Sequence, residues 1–177
     1  MPLRDRLQIF ESKNAAPLAS KLFEESFGAP FPVPREEGAL SISTPLGAWH
    51  QYVATYAWPD SCFETVGFCN WIKFDDVYLE GGMCVRANFY RRLQKGDFIE
   101  CRALGGVAQM MMATAATQLV DCTAWFGYCG DAKAMAVDLR AGYERTEHPN
   151  LIVKWFAQLS DEAQRDLIAS VSRIGPF

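Results

Sequence analysis

"GDAKAMAVDLRAGYERTEHPNLIVKW", Gly130 to Trp155, decides the fold. Asp131 is a good N-cap, because a short side-chain acceptor there satisfies the open amides of a helix start. Along the helix that follows, Ala134, Met135, Leu139 and Ala141 can face a sheet. Gly142 supplies the left-handed residue that ends the helix. Tyr143 restarts the chain in extended form, a polar turn follows, and Pro149 stands just before "NLIVKWF", which reads as a strand. The unit is a short helix that ends on Gly-aromatic and runs straight into a strand.

Working upstream, "CTAWFGY" (122–128) reads as a buried strand. "FIECRALGGVAQMMMATAATQLV" (98–120) is helical in composition and interrupted by Gly105 and Gly106. A helix starting near Gly106 is the favoured reading; the other is one longer helix that tolerates two glycines at ~1 kcal/mol each. "RANFYRRLQKGD" (86–97) is polar and basic. "HQYVATYAW" (50–58), "ETVGFCNWIKF" (64–74) and "VYLEGGMCV" (77–85) alternate well enough for strands and make an antiparallel meander. Residues 1–28 predict one or two helices, with Leu18, Leu22 and Phe23 on one face and Gly28 as the stop. "GAPFPVPREEG" (28–38) is loop. "SDEAQRDLIASVSRI" (160–174) is a helix with Ser160 as N-cap and acids in its first turn. The fold class is mixed α/β (α+β), a largely antiparallel central sheet flanked by helices, in one domain over 1–177.

The chain of 177 residues is half hydrophobic and 13% aromatic, enough for a real core, with a net charge of −4. No basic stripe suggests nucleic acid; Arg91, Arg92 and Lys95 form the densest cluster. No stretch reaches the ~18 apolar residues of a membrane span, and a cytoplasmic protein is expected. Six cysteines at 62, 69, 84, 101, 122 and 129 form no C-x-x-C pair, and there are only two histidines, His50 and His148. No metal is expected on this count, and the cysteines read as free thiols.

The order of strands, glycine-marked helix, strand, short helix ending in Gly-aromatic and final strand resembles the GCN5-related N-acetyltransferase superfamily, best over 50–156. The resemblance implies an acyl-CoA-dependent N-acyltransferase using acetyl-CoA and an amine of a small molecule or peptide, with a homodimer as one assembly. "YLEGGMCV" looks like the family's fourth strand, whose backbone at Met83, Cys84 and Val85 would pair with the pantetheine arm. The family's phosphate loop, Q/R-x-x-G-x-G/A, has its nearest match in "RALGGVA". Arg102 and Gly105 fit the first two places; shifting by one fits Gly106 and Ala108 instead. Such a loop works because amides at a helix start, left accessible by glycine, point at a pyrophosphate. The basic group Arg91, Arg92 and Lys95 is the alternative source of phosphate contacts.

For the chemistry, Glu80 is the candidate general base for the amine, and Tyr128 the candidate donor to the leaving thiolate. Many members of the family carry a tyrosine about five residues before the Gly-aromatic end; here that place is Asp138, and an ionised carboxylate is a poor proton donor. This departure keeps open a non-enzymatic binding module on the same fold. Cys129, in "FGYCGD", sits at a strand–turn–helix position like a nucleophile elbow, which leaves a cysteine hydrolase as the competing enzyme class.

Overall fold

The computed structural model describes residues 2–32 and 47–177. Most of the proline-rich loop at 28–38 therefore lies outside the described residues. The elements run α1 (Leu3–Arg6), β1 (Leu7–Ser12), α2 (Ala16–Phe27), β2 (Trp49–Ala57), β3 (Phe63–Phe74), β4 (Val77–Val85), α3 (Phe89–Arg92), α4 (Lys95–Ala103), α5 (Val107–Ala116), β5 (Ala124–Tyr128), α6 (Ala132–Arg140), β6 (Glu144–Arg145), β7 (Leu151–Trp155) and α7 (Asp161–Ser172). Among the described residues the strands form one seven-stranded sheet, ordered β1-β2-β3-β4-β5-β7-β6. Pairing is antiparallel at β1–β2, β5–β7 and β6–β7 and parallel at β4–β5. The fold is thus mixed α/β with a mostly antiparallel sheet. No helix among the described residues is long and apolar enough to cross a membrane.

The described residues divide into two compact units: residues 2–32, 50–70 and 82–118, and residues 47–49, 71–81 and 119–177. In the first unit, Ala19, Leu22 and Phe23 of α2 pack on Val53, Phe68 and Cys84 of three neighbouring strands. Phe23 meets Phe68 edge-on at 5.9 Å between ring centroids, a geometry worth about 0.5–1.5 kcal/mol beyond burial. Leu18, expected on this face, is instead 43% exposed. On β3, a Cβ at Gly67 would stand 2.9 Å from Val107 Cγ1, so the missing side chain lets α5 come close.

Residues 7–12, read as helix from the sequence, are a strand. Leu3 and Leu7 sit four apart and imitate a helical face, but Leu7↔Tyr56 through Ser12↔Gln51 pair along β2. Pairing with β2 overrides the weak local signal. Arg6, at the junction, is held by Asp97 of α4 at 3.1 Å, and Asp97 also accepts from the buried Tyr56 hydroxyl.

In the second unit, Val77, Leu79, Ala124, Phe126, Leu151 and Val153 make one apolar face of the sheet, covered by Ile168 and Val171 of α7. Ser160 caps that helix, accepting from the Ala163 amide. Asp131 caps α6, accepting from the amides of Lys133 and Ala134, and Gly142 follows at φ 93° as the left-handed stop. The inward face of α6 differs from the sequence reading. Met135 and Asp138 are its buried residues, while Ala134 is exposed and Leu139 is 36% exposed. A buried carboxyl occupies the position that hydrophobic periodicity assigns to an apolar side chain.

Candidate active site

Side chains alternate across a strand, so the second unit's sheet has an opposite face carrying Glu80 of β4, Trp125 and Gly127 of β5 with Cys129 just beyond its end, and Ile152 and Lys154 of β7. The parallel register of β4 with β5 runs from Val77↔Ala124 to Glu80↔Gly127 and stops there, while β4 itself continues to Val85. Glu80 thus stands where the pairing ends. A Cβ at Gly127 would lie 3.7 Å from Glu80 Oε2, so the carboxyl lies over that glycine. Tyr143, placed by the Gly142 stop, donates its hydroxyl proton to Glu80 Oε2 at 2.5 Å. Cys129 donates its thiol proton to Asp138 Oδ2 at 3.1 Å. Glu80 is 8%, Asp138 7%, Cys129 7% and Tyr143 3% exposed.

Burial governs the electrostatics of these groups. It pushes Glu80 up to about 8; the Asp138 charge adds to the rise, and the Tyr143 hydrogen bond and the Lys154 charge oppose it. Asp138 is also raised, by burial first, against the Cys129 hydrogen bond. Burial and then the Asp138 hydrogen bond and charge drive the Cys129 thiol up to about 12. Lys154 is lowered by its own burial, with the Glu80 charge opposing.

In the first unit, Gly105 and Gly106 adopt φ 83° and 90° immediately before α5. Their amides turn back into the loop, Gly105 donating to the Arg102 carbonyl and Gly106 to that of Cys101. The Val107 amide donates to the Tyr90 hydroxyl at 3.1 Å. Arg102 is exposed and Ala108 half-buried. Met83 and Val85 are half-buried, and the Cys84 side chain packs in the α2 core. Arg92 is already engaged: its guanidinium lies 4.1 Å from the Trp58 ring centroid and bridges Glu64 at 2.7 Å.

Of the two catalytic candidates, the structure brings Glu80 into a buried cluster and leaves Tyr128 on the other face of β5. Tyr128 is 37% exposed, and its ring approaches that of Phe177 at 6.3 Å. The phenol at Glu80 is Tyr143, which enters the sequence reading only as a marker of the helix end. Asp138 and Cys129 stand out singly in the sequence; their pairing across nine residues has no signal there beyond an acid on the inward side of an amphipathic helix. Cys129 does not have a nucleophile's surroundings: its thiol is buried, is held protonated and donates to a carboxylate. No group of three or more His, Cys, Asp or Glu side chains able to hold a metal occurs among the described residues.

The sequence matches no family model and no curated protein sequence. The structure is similar to that of the ribosomal-protein-S18-alanine N-acetyltransferase from Escherichia coli, with a TM-score of 0.55 at 11% identity, covering 88% of this chain and 97% of that one. It is also similar to YhhK from E. coli, solved bound to coenzyme A, with a TM-score of 0.51 at 10% identity over 85% of this chain and 98% of that one. The chain has the fold of the GCN5-related N-acetyltransferases.

Proposed function

We propose that the protein is an acyl-CoA-dependent N-acyltransferase, one catalytic domain over residues 1–177, that moves an acetyl group from acetyl-CoA to an amine of a small molecule or peptide. One observation carries the reading: in a chain with this fold, a buried carboxyl, Glu80, stands at the last paired residue of β4 with β5 and lies over Gly127. Glu80 in its ionised form, populated as pH rises towards about 8, is the general base that takes the amine proton during attack. The backbone at Met83, Cys84 and Val85 pairs with the pantetheine arm, and Arg102, Gly105, Gly106 and Ala108 meet the pyrophosphate at the start of α5. Positioning of amine and thioester, with amides polarising the carbonyl, supplies most of the acceleration.

The inward pairing of the Gly105, Gly106 and Val107 amides favours a second reading, a module that binds a partner without turnover. Calorimetry with acetyl-CoA and with coenzyme A separates the two. It is followed by mass-spectrometric detection of coenzyme A released with an amine panel of spermidine, a lysine-containing peptide and an alanine-terminated peptide. Binding with release supports the acyltransferase. Binding of acetyl-CoA without release from any amine supports the module, and no binding at millimolar ligand removes the coenzyme from the reading.

A further inference from the structure

The chain enters α5 through Gly105, Gly106 and Val107, and each of these amides has a partner. Gly105 donates to the Arg102 carbonyl at 3.1 Å and Gly106 to the Cys101 carbonyl at 2.9 Å. Both bonds belong to the turn that ends α4, so releasing either amide means undoing that turn. Val107 differs. Its amide donates to a side chain, the Tyr90 hydroxyl, at 3.1 Å across 17 residues of chain. The neighbouring Phe89 is fully buried and packs on Tyr56 at 5.3 Å and on Trp58 at 6.1 Å between ring centroids, which anchors α3. Tyr90 itself is half-buried. Rotation about its own Cα–Cβ bond withdraws the hydroxyl from α5 and leaves the Phe89 anchor in place. The space at the helix start is tight: a Cβ at Gly106 would lie 2.9 Å from the Tyr90 hydroxyl oxygen. One oxygen atom fills the spot beside Gly106 and within reach of the Val107 amide, and a second fits there only when the first has left.

We propose that Tyr90 is a gate on the start of α5: in the free protein its hydroxyl occupies the Val107 amide, and a phosphate oxygen of the coenzyme takes that amide only by displacing it. The gate rests on the reading that acetyl-CoA sets its pyrophosphate at this helix start. The exchange runs in a favourable direction. A phenol oxygen is a neutral acceptor, whereas a phosphate oxygen is charged and accepts about twice as strongly. The phosphate also meets the positive end of the dipole of α5, a helix of 10 residues. Against this, the closed form must open first, which lowers the apparent affinity in proportion to the fraction of molecules that are open. Tyr90→Phe removes the bond by deleting one oxygen atom, so it destabilises the closed form alone. A methyl at Gly106 acts in the opposite sense, because it fills the place that the hydroxyl leaves.

Calorimetry with coenzyme A on the full chain compares wild type with Tyr90→Phe. The variant should bind about threefold to tenfold more tightly, the size of one net hydrogen bond. Its thermal midpoint should fall below that of wild type without ligand and match it at saturating coenzyme A, because the bond is absent from the bound state of both proteins. A bond with a structural role alone lowers both midpoints equally and leaves Kd unchanged, and that result overturns the gate. Weaker binding by Tyr90→Phe also overturns it, since the hydroxyl is then a ligand of the phosphate. Nitrogen–proton NMR of the wild type needs no variant: the Val107 amide resonance should shift when coenzyme A is added. Coenzyme A binding that leaves Val107 unmoved puts the phosphates elsewhere and overturns the gate while the coenzyme reading stands. Binding by Tyr90→Phe alone supports the gate in its strongest form. No binding by either protein at millimolar coenzyme A overturns the coenzyme reading and the gate together.

Discussion

Glu80 has exchanged water for one phenol, the charge of Lys154 and the face of Gly127, and its folded-state pKa of about 8 stands above the ordinary 4.5. That difference links stability to pH with a definite sign. Below about pH 4.5 folded and unfolded chains both hold the proton, and the contribution is fully present. Between 4.5 and 8 the unfolded chain releases it while the folded chain keeps it, so stability falls as pH rises, and above 8 the loss is complete. Glu80→Gln removes the ionisation and should flatten this slope. Urea midpoints at pH 5, 6.5 and 8 measure it: the wild-type midpoint should drop across the series, and that of the Glu80→Gln variant should drop less. An equal midpoint at pH 5 and pH 8 in the wild type would falsify the buried-acid assignment. Glu80 is legible in the sequence as a carboxylate on a special strand, but its burial is not, because β4 alternation alone does not say which face a helix covers. Tyr143 shows only a backbone role in the sequence, and its hydroxyl gains a partner only when the Gly142 turn brings it back over β4.

The start of α5 shows how an element can be read correctly and still have its contacts misjudged. The Gly105–Gly106 break is legible, and α5 begins at Val107 as the favoured reading requires. What the sequence does not carry is that Tyr90 reaches the same spot: a Cβ at Gly106 would lie 2.9 Å from its hydroxyl oxygen. Gly106→Ala therefore forces a strained φ of 90° and displaces Tyr90 together. It should weaken coenzyme A binding by more than tenfold, about 1.4 kcal/mol, in protein shown by circular dichroism to stay folded. Arg91→Ala with Arg92→Ala should cost less than tenfold, and the loss should shrink with added salt. Arg92 is committed to Glu64 and Trp58, so ordering it on a phosphate first breaks those contacts. Calorimetry at two salt concentrations reads both variants. Abolished binding in the arginine pair with intact binding in Gly106→Ala moves the phosphates to the basic cluster. Strands are more legible than helices for a related reason. β2, β3, β4, β5 and β7 carry alternating or wholly apolar runs bounded by turns. By contrast, β1 is a short edge strand with a helix-like leucine spacing, and α4 turns an acid, Asp97, inward beside Cys101.

At the size of the whole chain, the division into two units has an uncommon form. Domain boundaries normally fall in exposed linkers. Here the chain crosses from one unit to the other inside strands: β3 contributes residues 63–70 to the first and 71–74 to the second, and β4 contributes 77–81 to the second and 82–85 to the first. A strand cannot be half folded without giving up ladder hydrogen bonds along its length, and an unpaired buried backbone group costs about 1–3 kcal/mol. Melting one unit alone would leave two interrupted strands in the other. The proposed single domain over 1–177 therefore predicts one cooperative transition, in which the calorimetric and van't Hoff enthalpies agree. For 177 residues, at about 0.7 kcal/mol per residue near 60 °C, that enthalpy is on the order of 120 kcal/mol. Acetyl-CoA should raise the midpoint of the entire transition, because a ligand bound only by the folded state stabilises whatever unfolds with its site. Scanning calorimetry with and without acetyl-CoA decides the point. Two separable peaks, with only one of them moving on addition of the ligand, would make the units independent and confine the coenzyme to one of them.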